Sequence, residues 1–426
     1  MRITSIIIGF IFITSVVFIG CTEQITINKN SESVDKNDNQ NETQFTEQEC
    51  GNEIGNGHEI ISGPSSPAYD ADRDNPFRSL TVHPINPDVI IIGTERNGFL
   101  KSSDGGETWA RLRYGLRHEQ IGYPEIYDIS FSKDDPDIIY AATLDGPGPI
   151  KGNYPTSNGG VYKSNNSGET WYRKNCGLTN GCITCALVSD KNPEHVIICI
   201  RGGLTTFTGY DVSGQYFEGG IFKTIDGGRE WTRAKAPEND NISDFMIIRY
   251  VKNDPLTMYT FGFNFVDPSK NMGFLKSSDG GDNWTQFALD LKEKDISYFD
   301  ISSDGKTIYA VDNFIIQKSI DGGLSWDEHN IFSGGYALAV FPDDSNKVIY
   351  SNINGVFLST DGLETNDQVI KITEGQNHVA DIVISTANTS IVYIVTVGYD
   401  FYKSIDSGTS FTKIINLRDE VLNVIP

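Results

Sequence analysis

From about Pro76 onward, apolar residues come in short runs set off by turn residues, and the same order of parts keeps returning. An apolar first strand, as in Ser79–Val82 or Ile126–Phe131, leads into a turn that often holds Asn-Pro or Asp-Pro (Asn86-Pro87, Asp135-Pro136, Asn192-Pro193, Asp254-Pro255). A second strand follows: Val89–Gly93, Ile138–Ala142, Val196–Ile200, Met258–Gly262, Thr307–Val311, Val348–Asn352 and Ile391–Val397. A third strand runs into a Gly-rich motif and a fourth leaves it. Short strands separated by turn signals predict an all-β chain. A unit that cannot bury both faces of its own sheet needs neighbours on either side, so the repeat predicts a ring.

The motif is Lys101–Trp109 (KSSDGGETW). It returns as Lys163–Trp171, Lys223–Trp231, Lys276–Trp284 and Lys318–Trp326, with two worn copies at Leu358–Asn366 and Lys403–Phe411. All five tryptophans of the protein end a copy. Its acid is Asp104, Asp226, Asp279, Asp321, Asp361 and Asp406, with Asn166 standing in once. An Asp side chain that accepts backbone N–H bonds, followed by Gly in a positive-φ position, makes a hairpin tip, and the Trp folds back beneath it. Each copy carries a single acid and no second ligand at fixed spacing, so these acids read as structural and not as a metal or catalytic row. The motif resembles the Asp-box, or BNR repeat, with consensus S-x-D-x-G-x-T-W. That resemblance and the seven units imply a seven-bladed β-propeller of four-stranded antiparallel blades with Asp-box hairpins; a six-bladed ring, as in sialidases, is the alternative. Closure of the ring is expected to draw a strand from His58–Ser62 or from Val421–Ile425.

Upstream the pattern changes. Arg2 followed by the apolar run Ile3–Ile19 reads as an export signal over residues 1–20. Phe18-Ile19-Gly20-Cys21 resembles a lipobox, which implies lipidation at Cys21; an uncleaved membrane anchor is the alternative. Residues 21–57 are rich in Asn, Gln, Glu, Ser and Thr and predict a disordered, lipidated tether. The propeller is assigned residues 58–426. These readings place the protein outside the cytoplasm, anchored to a membrane or cell surface, as a monomer.

A net charge of −23 argues against a nucleic-acid partner. An exported chain permits disulfides. Cys176 and Cys182 bracket a short loop and are expected to pair. If Val188 faces Val196, Cys185 faces Cys199, as a bridge or as two buried thiols. Cys50 is left over. Cys182-x-x-Cys185 has no second such pair and no His at ligand spacing, so no metal and no cofactor are expected.

The loops are unequal. Long ones follow or interrupt blades one to four, carrying Tyr154, Tyr210 and Tyr216, whereas blades five to seven have almost none. Long loops on a rigid scaffold are where binding usually sits. Asp128, Asp244, Asp300 and Asp381 fall on first strands and are expected together at one channel mouth on that face, either bonded to a ligand or each capping its own loop and solvated in the channel. Tyr154, Tyr210 and Tyr216 with Asp128 and Asp244 are the expected contact surface, and the four acids are the catalytic candidates.

The resemblance supports three functional precedents. Sialidases set an Arg at the start of the first strand, which Arg78 matches without the neighbouring Ile and Pro; Arg113, Arg117 and Arg201 do not clearly supply the other two. Two-propeller xyloglucanases resemble this chain most closely in their units, but place catalytic acids between two propellers. Sortilin-type receptors and the photosystem II assembly factor use the ring to bind. The expected function is a membrane-anchored, extracytoplasmic, non-catalytic binding or scaffold propeller for a glycan or protein ligand. The alternative is a glycoside hydrolase using the channel acids.

Overall fold

The computed structural model describes residues 77–417 except 96, 118–122, 145–158, 179, 205–215, 238–243, 264–270, 295, 332–334 and 373–377. The expected leader and tether, Cys21, Cys50 and both candidate closing strands lie outside these residues. Seven four-stranded antiparallel sheets follow one another along the chain, each with its strands in sequence order. The blades begin with Phe77–Val82, Glu125–Phe131, Ile183–Ser189, Asp244–Val251, Ile296–Ile301, Gly335–Val340 and Val379–Ile384. The protein is a seven-bladed β-propeller.

Burial explains the pattern read along the chain. Second strands such as Ile90–Thr94, Ile139–Leu144 and Val392–Thr396 are buried at every position. Each lies inside a blade that is covered on both faces, which is why it reads as an unbroken apolar run. Fourth strands such as Asp327–Asn330 are mostly exposed. The core is accordingly divided into seven clusters, one at each seam between blades.

The boxes form the turns between third and fourth strands. Asp104 Oδ1 accepts from the N–H groups of Glu107 (3.0 Å) and Thr108 (2.9 Å), while the Ser102 hydroxyl donates to it at 2.8 Å. Asp226, Asp279 and Asp321 repeat the pair of backbone bonds. Asp361, Asp406 and Asn166 keep the bond to the fourth residue on. Asn166 offers the same carbonyl-type acceptor, so the turn survives the loss of charge. Positive φ is required at both positions after the acid. Where glycine is missing, Ser167, Leu363 and Ser407 adopt φ of 57°, 78° and 58°, a strain of about 1–2 kcal/mol for such residues. The second glycine also lies against the preceding blade, Gly106 on Phe401 and Gly323 on Phe287. Leu363 instead places its side chain in the seam cluster of blades five and six.

Hydroxyl donors Ser325, Thr365 and Ser410 hold Asp321, Asp361 and Asp406 down at about 2. A depressed carboxyl stabilises the fold above its unfolded value and loses that contribution as pH falls through the folded one, so these boxes weaken only in strong acid. Asp226→Ala removes the two backbone bonds and should cost about 1–3 kcal/mol. A denaturation curve checks the cost. Any ligand affinity should be untouched, and an activity lost at unchanged stability sinks the structural reading of the boxes.

In five of the seven boxes the opening lysine staples the ring. Lys101 Nζ donates to Ser167 O (2.8 Å), Lys163 Nζ to Glu194 (2.6 Å), Lys318 Nζ to Gly362 O (2.7 Å) and Lys403 Nζ to Asp88 (3.3 Å), each on the next blade; Lys223 pairs likewise with Asp282.

The segments expected to close the ring lie outside the described residues, and closure is carried among the described ones by contacts between blades one and seven. Blades one and seven each hold four strands of their own, so among the described residues no strand is shared. The seam closes by packing of Phe77, Leu80 and Ile92 on Tyr393, Tyr399 and Phe401. Tyr393 OH donates to Pro87 O at 3.1 Å, and Leu80 N–H to Asp381 at 3.0 Å.

Cys185 and Cys199 stand directly opposite in register and form a disulfide. The other expected pair does not form. Cys182 carries a buried thiol, and Cys176 is disulfide-bonded to a partner outside the described residues. Closeness along the chain does not bring two side chains to one another when the intervening turn is ordered by its own bonds, here Asn180 Oδ1 accepting from Cys182 N–H at 3.0 Å.

Candidate functional site

Two polar clusters occupy opposite ends of the ring axis. The faces are identified by the boxes. In every blade the box is bonded to the turn joining strands one and two, as in Gly105 N–H to Asp88 O and Gly227 N–H to Glu194 O. Boxes and these turns therefore share one face. The strand ends that lead into the long loops share the other.

On the long-loop face the first four blades contribute a charged floor. Arg78 at the start of blade one pairs with Glu125 of blade two (2.7 Å) and with Glu95 (2.9 Å). Its guanidinium lies over the Tyr127 ring at 5.9 Å. Arg201, which follows the second strand of blade three, pairs with Asp244 at the start of blade four at 3.2 Å, and both side chains are 6 % exposed. Burial pushes the Tyr127 phenol up, and Glu125 adds to it, while Arg78 and Arg201 pull it down. Burial pushes the Asp244 carboxyl up to about 7, with Arg201 drawing it only part of the way back. His378 is lowered by burial and then by Arg78. Glu95, Glu125 and Tyr127 were not picked out by sequence reasoning; for Glu125 a signal was there, a charge at the start of an inner strand where alternation favours apolar residues.

The other cluster lies in the channel. Asp128, Asp300 and Asp381 line one cavity together with Arg249 and Tyr298. Each acid reaches to the next blade: Asp128 accepts from Ala186 N–H (3.0 Å), Asp300 from Val340 N–H (2.9 Å) and Asp381 from Leu80 N–H (3.0 Å). Asp128 and Asp381 also accept from the next residue of their own strands at 2.9 Å. They act as staples between inner strands, neither capping a loop nor standing free in the channel. Arg249 faces Asp300 (3.5 Å) and donates to Tyr298 OH at 3.0 Å. Burial raises all three acids, Asp381 to about 7.

The four acids thus do not share one mouth. Asp128 and Asp381 occupy matching register, opposite Ala142 and Val395, each just after a bulge. Asp300 falls two places further on, opposite Tyr309. Asp244 stands at the far end of its strand, opposite Phe263. Of the expected contact surface, Tyr154 and Tyr210 lie outside the described residues. Tyr216 sits in a two-residue strand, Tyr216–Phe217, paired with Gly203–Leu204. Only Asp244 of the expected acids belongs to the long-loop floor. Among the described residues no group of His, Cys, Asp and Glu has a metal-site arrangement.

No protein-family model matches this chain, and no curated protein does. Solved structures match it by shape. An ancestral GH74 enzyme superposes with a TM-score of 0.60 at 15% identity, over 80% of this chain and 46% of that one. YCF48 from Cyanidioschyzon merolae gives 0.53 at 14% identity, over 76% of this chain and 94% of that one. YCF48 bound to D1 peptide gives 0.54 at 13% identity, over 78% and 94%. This chain therefore spans less than half the length of the GH74 enzyme and nearly the whole of YCF48. At such identities the likeness establishes the propeller fold that these proteins share with it, and no more.

Proposed function

We propose that this protein is a membrane-anchored, extracytoplasmic Asp-box propeller that binds a protein or glycan ligand on its long-loop face without turning it over. One observation carries the reading. The channel carboxylates that a hydrolase would need are engaged as acceptors for backbone N–H groups between blades. A carboxylate held in that way supports the ring and is poorly placed to move a proton. What remains on the long-loop face is a floor of paired charges from blades one to four, at the strand ends that lead into the segments carrying Tyr154, Tyr210 and Tyr216. YCF48, of the same fold, has been seen with a bound peptide, which supports the ring as a platform.

The test is binding and hydrolysis with one panel of sialosides, β-glucans and extracellular peptides. Binding without hydrolysis is expected. Tyr154→Ala, Tyr210→Ala and Tyr216→Ala should each weaken it by about 1–2 kcal/mol with little change in melting temperature. Phe314→Ala, on an exposed turn of blade five on the same face, should be silent. A ligand that ignores the three tyrosines and responds to Phe314 overturns the assignment.

A glycoside hydrolase is the second reading, and Asp244 favours it. A carboxyl at about 7 on that floor has the protonation state of a general acid. Hydrolysis of any member of the panel, abolished by Asp244→Asn, would decide for it.

A further inference from the structure

The channel cavity measures about 300 Å³, at the small end of ligand pockets. Lys252, Ser303, Pro342 and Thr386 on its wall belong to turns between first and second strands. It therefore opens on the box face, away from the long loops. Across its floor runs a bridge from Arg249 to Tyr298 OH (3.0 Å) and from Tyr298 OH to Asp381 (3.4 Å). Leu187 and Val383, both half-buried, supply apolar wall.

The acids and the cations of this cavity differ in what they have left to give. Asp128, Asp300 and Asp381 are each occupied by backbone N–H groups. Arg249 carries five N–H donors. It donates through Nη1 to Ile248 O and through Nη2 to Tyr298, and turns Nε to Asp300. One N–H on each Nη is thus uncommitted among the described residues. The Lys252 ammonium, half-buried on the same wall, meets no hydrogen-bond acceptor and no carboxylate at salt-bridge distance among the described residues. The free donors of Arg249 and Lys252 lie next to an apolar wall. A doubly charged anion would meet the three aspartates at close range, so the chamber favours a single negative charge.

We propose that the cavity binds a carboxylate borne on a short aliphatic stem, with its oxygens on Arg249 and Lys252 and its stem against Leu187 and Val383. The carboxylate has two sources, a small branched-chain acid or the C-terminus of a peptide with an aliphatic last residue. Both present the same group.

The full-length chain is titrated calorimetrically with isovalerate, with inorganic phosphate, and with a short peptide ending in leucine as the free acid and as the amide. Isovalerate should bind at one site with a Kd of ~1 mM or tighter, and phosphate roughly tenfold more weakly. Binding of the peptide acid but not its amide assigns the source to a chain end; binding of isovalerate alone assigns it to a small molecule. Lys252→Met should weaken carboxylate binding roughly tenfold or more, and Lys252→Arg should restore it. Lys252 sits in a turn and holds no hydrogen bond among the described residues, so neither variant should unfold the ring; Lys252→Met removes a longer-range counter-charge to Asp300 that Lys252→Arg keeps. The proposal is overturned if no carboxylate binds the wild type, or if Lys252→Met binds it undiminished. Neither result bears on the long-loop face, which is read by the tyrosine variants.

Discussion

Trp231→Ala should unfold at markedly lower denaturant, with a loss of about 3–5 kcal/mol. The ring is 5 % exposed and packed in the seam between blades two and three with Tyr140, Val161 and Leu178. It differs from three of its counterparts. Trp109, Trp284 and Trp326 donate their indole N–H to the second glycine of their own boxes. Trp231 donates to Lys174 O of the preceding blade, at 2.7 Å. Truncation therefore opens a cavity at a seam and strands a carbonyl there. Trp231→Phe separates the two contributions, since it keeps most of the ring and should cost about 1–2 kcal/mol for the lost bond. If the alanine variant melts within about 1 kcal/mol of the wild type, the seam and not the box turn has been overvalued. Trp171 offers an independent check, being fully buried and stacked on Phe99 of blade one at 4.2 Å.

Arg249→Ala is expected to cost about 2–4 kcal/mol, between the values for an exposed and a fully buried pair. The side chain is 31 % exposed within the channel, so solvent screens part of the loss. What remains after truncation is three carboxylates around one cavity with Lys252 alone to offset them. The deficit should depend on pH in a defined direction. Burial raises Asp381 to about 7, above the ordinary carboxylate value of ~3.9. The folded state then holds the extra proton, and the acid costs stability as pH rises through that value. Without Arg249 this cost has less to balance it, so the deficit should be smaller near pH ~5 than near pH ~8. A chemical-denaturation series across that interval checks it. A variant as stable as the wild type at the alkaline end would mean that Arg249 is not the counter-charge of the channel.

The box hairpins were legible because every bond that makes them closes within a few residues. Ser102, Asp104, Gly106 and Thr108 satisfy one another inside a single turn, so the string of letters contains the whole interaction. That Cys185 faces Cys199 was legible for a related reason. Alternation with period two, counted back from one turn, is enough to place residues opposite each other in adjacent strands.

Charged side chains around the ring axis were not legible in this way. Whether Asp128, Asp300 and Asp381 share a chamber depends on which strands face one another across the channel, and on bulges such as the one between Ile126 and Asp128. A bulge shifts register by one residue and is not marked by any letter. The same is true of closure. Seven blades could be counted from the boxes, but the contact of Leu80 with Asp381 spans 301 positions, and nothing local announces it. Blade architecture follows from short-range hydrogen bonds and alternation, which the sequence by itself determines. The charged floor of blades one to four, the stapled acids, Arg249 among them and the side on which the cavity opens were decided by the tertiary structure, because each joins residues that only the curvature of the closed ring brings together.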